Sequence, residues 1–179
     1  MSLLSHDELV ELVEQGVITA DIAQVNGSSI DLTLDKIIRV EKKEYRIVDL
    51  LAKENICTEE IEIDEIGYIL SPSEFILASS VEVFNLPNDI TAEYKLKSSQ
   101  ARNGMAHLLA GHCDSGWSGS KLTLEFHNVN KYHGLLIKAG MRCGQIIFHR
   151  HKPVPAHANY AVTGQYNNQS KVQESKGIR

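Results

Sequence analysis

KSSQARNGMAHLLAGHCDSGWSGSKLTLEFHN, residues 97–128, is the stretch on which the reading of this chain turns. Near its end Leu122, Leu124 and Phe126 alternate with Thr123 and Glu125, the period of two expected of a β-strand with one apolar face. That alternation sets Glu125 on the face of Thr123, opposite Leu124. Two readings of the face stay open. If it lines a cavity, Glu125 is a candidate general base, made effective by burial and a neighbouring charge. If it meets solvent, Glu125 is an ordinary surface carboxylate. A carboxylate turned inward is costly unless it is paired or used.

Upstream, Ser98-Ser99-Gln100-Ala101-Arg102 follows a predicted strand and reads as a helix start, with serine as a favoured N-cap. Free N–H groups at a helix N-terminus attract anions. Lys97 and Arg102 add full charges, and arginine suits bidentate contact with phosphate or carboxylate. The plainer alternative is a capped helix with a surface arginine. Between the two segments Ala110–Gly119 forms a dense turn rich in glycine. Asp114 there is a candidate acceptor for a sugar hydroxyl or a water, and Trp117 reads either as a pocket wall or as core.

Outward from this stretch the period of two recurs. Ile30, Leu32 and Leu34 alternate with Ser29, Asp31 and Thr33, and similar runs lie near 37–40, 46–50, 74–78, 80–84 and 90–96. Further strands fit 120–127, 133–138 and 142–149, with Gly134 and Ala139-Gly140 as turns. Many short strands imply a mainly β class, an all-β barrel or double-sheet jelly roll. Ser5-His6-Asp7-Glu8 is a capping box opening one N-terminal helix, which Gly16 ends. Neither repeat nor linker interrupts the chain, so residues 1–179 read as a single domain. Segment 51–67 is an elaboration in which Glu60, Glu62 and Asp64 alternate with isoleucines, read as one solvated strand face. After Pro155 the chain turns polar; the tail from 160 to 179 is either frayed or a flap that orders over a ligand.

The totals bound the function. At 179 residues the chain can bury a full core, and its 42% hydrophobic and 23% charged content is that of a soluble globular protein. A net charge of −5 argues against broad nucleic-acid binding, though a few local cations can still meet a nucleotide. No apolar run is long enough to cross a bilayer and no signal-peptide pattern opens the chain. Cys57, Cys113 and Cys143 form neither a disulfide framework nor a metal knuckle, so the chain reads as cytoplasmic and reduced. Eight histidines invite a metal, but the zinc deaminase and metalloprotease patterns are both missing. The histidines, His107 and His112 included, are read as surface or satisfied core residues, and no protein-bound zinc is expected.

Taken in order, several segments resemble the dCTP deaminase branch of the deoxyuridine triphosphatase superfamily. They are VNGSSIDLTL (25–34), LSPSEFILASSVEVFNLPNDI (70–90), KSSQARNG (97–104), AGHCDSGWSG (110–119), TLEFHN (123–128) and GMRCGQIIF (140–148). A tail of Tyr160, then Gln165-Tyr166-Asn167-Asn168-Gln169, follows them. The resemblance implies a distorted jelly roll, a homotrimer with active sites between subunits, and zinc-independent deamination of dCTP to dUTP. Glu125 would then be the base, with Ser98 and Arg102 in the catalytic centre and Lys97 and Ser99 at the triphosphate. Ala110 would sit beside the base, Trp117 in the pocket wall, Asp114 near the deoxyribose 3′-hydroxyl and Tyr160 at the sugar. Gln165, Tyr166 and Gln169 would close the tail over the phosphates, which carry Mg²⁺ rather than leaving it to a protein cage. Two rivals follow from the same resemblance. One is a dUTP diphosphatase or a bifunctional enzyme forming dUMP; the other is a non-catalytic nucleotide sensor. dTTP is an expected inhibitor. Departures from the family pattern are Gln165 for a usual lysine, Leu109-Ala110 for Thr-Ala, Ser115 for a common proline and Leu96 for glycine, with one residue fewer between Gly104 and Asp114.

Overall fold

The computed structural model describes residues 2–177. Along the chain run β1 (Ser2–Leu3), α1 (His6–Glu14), β2 (Ile30–Thr33), β3 (Ile37–Glu41), β4 (Thr58–Glu62), β5 (Tyr68–Leu70) and β6 (Phe75–Asn85). There follow β7 (Ile90–Lys95), α2 (Ser98–Ala101), β8 (Met105–His107), β9 (His112–Cys113), β10 (Ser118–Asn128), β11 (Leu135–Ile137), β12 (Arg142–Arg150) and α3 (Tyr160–Thr163). One sheet has the order β1-β12-β7-β9, with β2 also paired to β12, and the second has the order β4-β3-β6-β10-β8. β5 and β11 form a separate two-stranded ribbon. The arrangement is a distorted jelly roll; the sheets do not close into a barrel.

Both sheets turn their apolar faces to one core. Ile146 and Phe148 come from the first sheet, Ile76, Phe84, Leu124 and Phe126 from the second, and Leu9 and Leu12 from α1. Full burial of each such side chain is worth roughly 1.5–3 kcal/mol. β10 alternates as its sequence requires. Leu122, Leu124 and Phe126 are buried, while Lys121, Thr123 and Glu125 are half-buried on the other face. The capping box at α1 is present, with the Glu8 carboxylate accepting the Ser5 N–H at 2.9 Å. Gly16 then takes the left-handed φ of +72° that ends the helix.

Three local expectations change. Segments 74–78 and 80–84 are one strand, β6, because Ser79 and Ser80 do not break it. β10 shifts register between Lys121 and Thr123, and the Ser80 hydroxyl accepts the Leu122 N–H at 3.0 Å there. The run 46–50 is no strand. Asp49 accepts the N–H groups of Leu51 (2.9 Å) and Ala52 (3.3 Å) and turns the chain, which leaves Tyr45 and Ile47 exposed. Asp31, expected on a polar face, is fully buried. It pairs with Lys97 and with Arg142 at 2.8 Å, and accepts from Asn26 at 3.0 Å. A buried carboxylate in that company has its charge compensated by two cations.

Candidate active site

Glu125 opens onto a cavity of about 470 Å³, within the range of small-molecule sites. β10 supplies Lys121, Leu122, Thr123 and Glu125 to its wall, and β6 supplies Phe75 and Leu77. The Ala110–Trp117 turn closes one side. Trp117 N–H donates to Asp114 O at 3.1 Å across the turn, and Gly116 adopts φ +86°, a position at which a side chain would strain the backbone. The turn holds Ala110 and Asp114 at the cavity. Trp117 does both jobs considered for it. It stacks on Phe84 with ring centroids 5.2 Å apart, lines the cavity, and donates its Nε1–H to Tyr166 O at 2.7 Å.

The tail lies along β10 and shuts the same cavity. Asn168 N–H donates to Ser118 O at 3.0 Å, Lys121 N–H to Gln169 O at 2.8 Å, and Gln173 N–H to the Thr123 hydroxyl at 3.3 Å. Tyr160, Tyr166 and Gln169 line the wall, and Gln169 is buried. Burial pushes the Tyr160 phenol above its ordinary value, with the Asp114 charge adding to the effect. Farther on, Glu174 accepts from Arg39 Nη2 at 2.8 Å and from the Thr58 hydroxyl, whose hydrogen bonds hold its carboxyl below the usual range. Residues 178 and 179 of the expected flap lie outside the described residues.

The remaining expected site residues are elsewhere in the chain. Ser98, Ser99 and Arg102 are exposed on and after α2, and neither they nor Lys97 nor Gln165 line the cavity. α2 has four residues, and Lys97 rather than a serine occupies the N-cap, with Ser98 as the first helical residue. The Lys97 ammonium turns to Asp31, while Gln165 offers its carbonyl to Lys176 at 2.6 Å.

Two groups at the site went unread in the sequence. Segment 48–56 contributes Val48, Leu50, Glu54, Asn55 and Ile56 to the cavity wall; the sequence reads its start as strand 46–50 and the remainder as part of the 51–67 elaboration, and neither reading places it at a site. His107 is the second. The pairing of β8 with β10 sets His107 opposite Phe126, and its ring, 4% exposed, lies with Nε2 at 3.3 Å from Glu125 Oε2. Only that non-local register brings them together. Among the described residues no group of three or more His, Cys, Asp or Glu side chains is arranged to hold a metal ion, and no helix is long and apolar enough to cross a membrane.

A family model described as dCTP deaminase-like matches residues 3–151. A relative from Nocardioides sp. named "dCTP deaminase, dUMP-forming" is 38% identical over 156 residues, covering 84% of this chain and 80% of the relative. A protein of the same name from Beutenbergia cavernae is 35% identical over 133 residues, 73% of this chain and 68% of that one. The solved 2′-deoxycytidine 5′-triphosphate deaminase from Agrobacterium tumefaciens shares the fold, with a TM-score of 0.67 at 18% identity. The match covers 83% of this chain and 47% of that longer one.

Proposed function

The chain belongs to the dCTP deaminase-like family, and from that premise we propose that it converts dCTP through dUTP to dUMP. The observation that carries the reading is the meeting of Glu125 and Asp114 at one cavity closed by a tail. Glu125 takes a proton from a water, the resulting hydroxide adds to C4 of cytosine and that proton passes to N3. Glu125 then takes the second proton from the new C4 hydroxyl and hands it to the amino group, so that C4=O forms as ammonia leaves. Base and then acid in one carboxylate is general acid–base catalysis of the ordinary kind. Trp117 walls the pocket, Ala110 offers main-chain groups to the base, and Asp114 and Tyr160 hold the sugar.

The second step is hydrolysis of the α–β anhydride to dUMP and pyrophosphate, with Asp114 helping to place the water. The dUMP-forming names of the relatives favour it over a deaminase that stops at dUTP. Half-buried Lys97 and exposed Ser98, Ser99 and Arg102, all outside the cavity of their own chain, serve the triphosphate and the water of a neighbouring subunit in a homotrimer. Tyr166 and Gln169 close the tail over the phosphates, with Gln165 uncharged where the family has lysine. The segment from Lys97 to Arg102 offers cations and hydroxyls but no carboxylate, so Mg²⁺ would be held by phosphate oxygens and supply charge neutralisation there. dTTP, a pyrimidine triphosphate larger by one methyl group, would compete for the site.

The test is incubation of the protein with Mg²⁺ and dCTP, followed by separation of dCTP, dUTP and dUMP by ion exchange. dUMP with pyrophosphate and little free dUTP is expected. Accumulating dUTP would remove the second step; tight dCTP binding without turnover would leave a nucleotide sensor.

A further inference from the structure

Glu125 Oε2 and His107 Nε2 are both sealed from solvent, and neither has a hydrogen-bond partner of good geometry. They lie 3.3 Å apart. Two orphaned polar atoms facing each other inside a protein are an expensive arrangement unless the site uses them.

The other ring nitrogen fixes the proton. His107 Nδ1 lies 3.2 Å from the Leu109 N–H, and a nitrogen that receives an N–H must be bare. A neutral ring therefore carries its proton on Nε2, aimed at Glu125. The backbone is held to this geometry, since Leu109 sits at φ +64°, a left-handed conformation unusual for leucine. Tyr94 packs on the ring with centroids 4.4 Å apart, and Phe126 meets its edge at 5.9 Å. Tyr94 is no rival donor, because its hydroxyl goes to Cys143 O at 2.6 Å.

We infer that His107 is a positioning residue for Glu125: its Nε2–H engages Oε2 and turns the second carboxylate oxygen toward the cavity. This rests on the proposed deaminase reaction. A carboxylate free to rotate would meet the water from many angles, whereas one oxygen held from behind leaves the other with a fixed direction. The contact is long and off-line, and it tightens when substrate fills the site.

Two variants and one spectrum test it. H107F keeps an aromatic ring in the stack and removes the donor; H107Q restores an N–H near the position of Nε2. H107F is expected to lower kcat for deamination roughly 10- to 100-fold with KM for dCTP within about threefold, and H107Q to recover most of the loss. In ¹⁵N-histidine spectra of nucleotide-free protein, one ring should show a protonated Nε2 and bare Nδ1. That signal should vanish in H107F and its Nε2–H resonance should move in E125Q. A wild-type kcat in H107F, a ring protonated on Nδ1, or a resonance blind to E125Q would each overturn the inference. If the wild-type chain does not turn over dCTP, the proposed function falls while the spectra still decide whether His107 and Glu125 engage. Should H107F not fold, H107Q and the spectra of the native chain carry the test.

Discussion

The cavity at Glu125 and the segment Lys97–Arg102 are built in opposite ways. Around Glu125 the chain spends two strands, a tight turn, a surface excursion and its tail to enclose one carboxylate. At α2 it spends four residues and leaves Ser98, Ser99 and Arg102 in the open. Lys97 is anchored there by the buried carboxylate of Asp31, and Gln100 by the Arg142 carbonyl, to which its Nε2 donates at 2.8 Å. In the proposed reading, the enclosed carboxylate and the exposed serines and arginine are complementary halves of one site. In the proposed trimer each half meets the other on a neighbouring copy, as heterologous interfaces that close a ring allow.

The sharpest way to break this comparison is to remove the enclosed group. E125Q is expected to cut ammonia release from dCTP by roughly 10²- to 10⁴-fold, with dCTP affinity by calorimetry near that of the native chain. Near-native release would end the assignment of Glu125 as the base. The complementary experiment mixes two dead proteins. R102A should be inactive because it spoils the open half, and E125Q because it spoils the enclosed one. Subunit exchange between them should restore about a quarter of native activity, the random fraction of interfaces with both halves intact. Mixtures that stay dead after proven exchange would put both halves in one subunit.

Much of this division was legible from residues, and the rest was hidden for definable reasons. β10 announced itself because period two and burial agree from Leu122 to Phe126, and the capping box at Ser5 is a local device that needs no tertiary context. Asp31 was misread because alternation assumes one wet face, whereas β2 is covered on both and compensates its carboxylate with Lys97 and Arg142, far away in sequence. Run 46–50 misled in the other direction: its pattern suits a strand, but Asp49 caps a turn there and β4 already occupies the edge of β3. His107 was invisible because only the β8–β10 register carries it to Glu125.

Smaller effects sharpen the boundary of the enclosure. Truncation after Gly164 removes the backbone and side-chain contacts of the tail along Ser118–Thr123. It should raise KM for dCTP about tenfold, as loss of a closing segment does, while the thermal midpoint falls little, because the sheets keep their core without it. An unchanged KM would mean that the tail merely rests on β10.

The smallest effect concerns how the tail is fastened. Glu174 is tied to Arg39 and Thr58, and hydrogen bonds hold its carboxyl below the ordinary value of 4.5. A depressed carboxylate stabilises the closed tail fully above about pH 4.5 and loses that contribution as the pH falls through the lowered value. Trp117, the chain's single tryptophan, bonds Tyr166 O in the tail and so reports its release. Its emission should stay constant from pH 7 to about 5 and change below pH 4.5, before far-ultraviolet dichroism shows the sheets to unfold. E174A should show the released emission already at pH 7, with KM raised only two- to threefold, roughly the worth of a partly exposed ion pair. If E174A and the native chain give the same emission at every pH, the fastening lies in the Gln169 and Asn168 backbone pairing with β10 instead, and the enclosure of Glu125 owes nothing to charge at its far end.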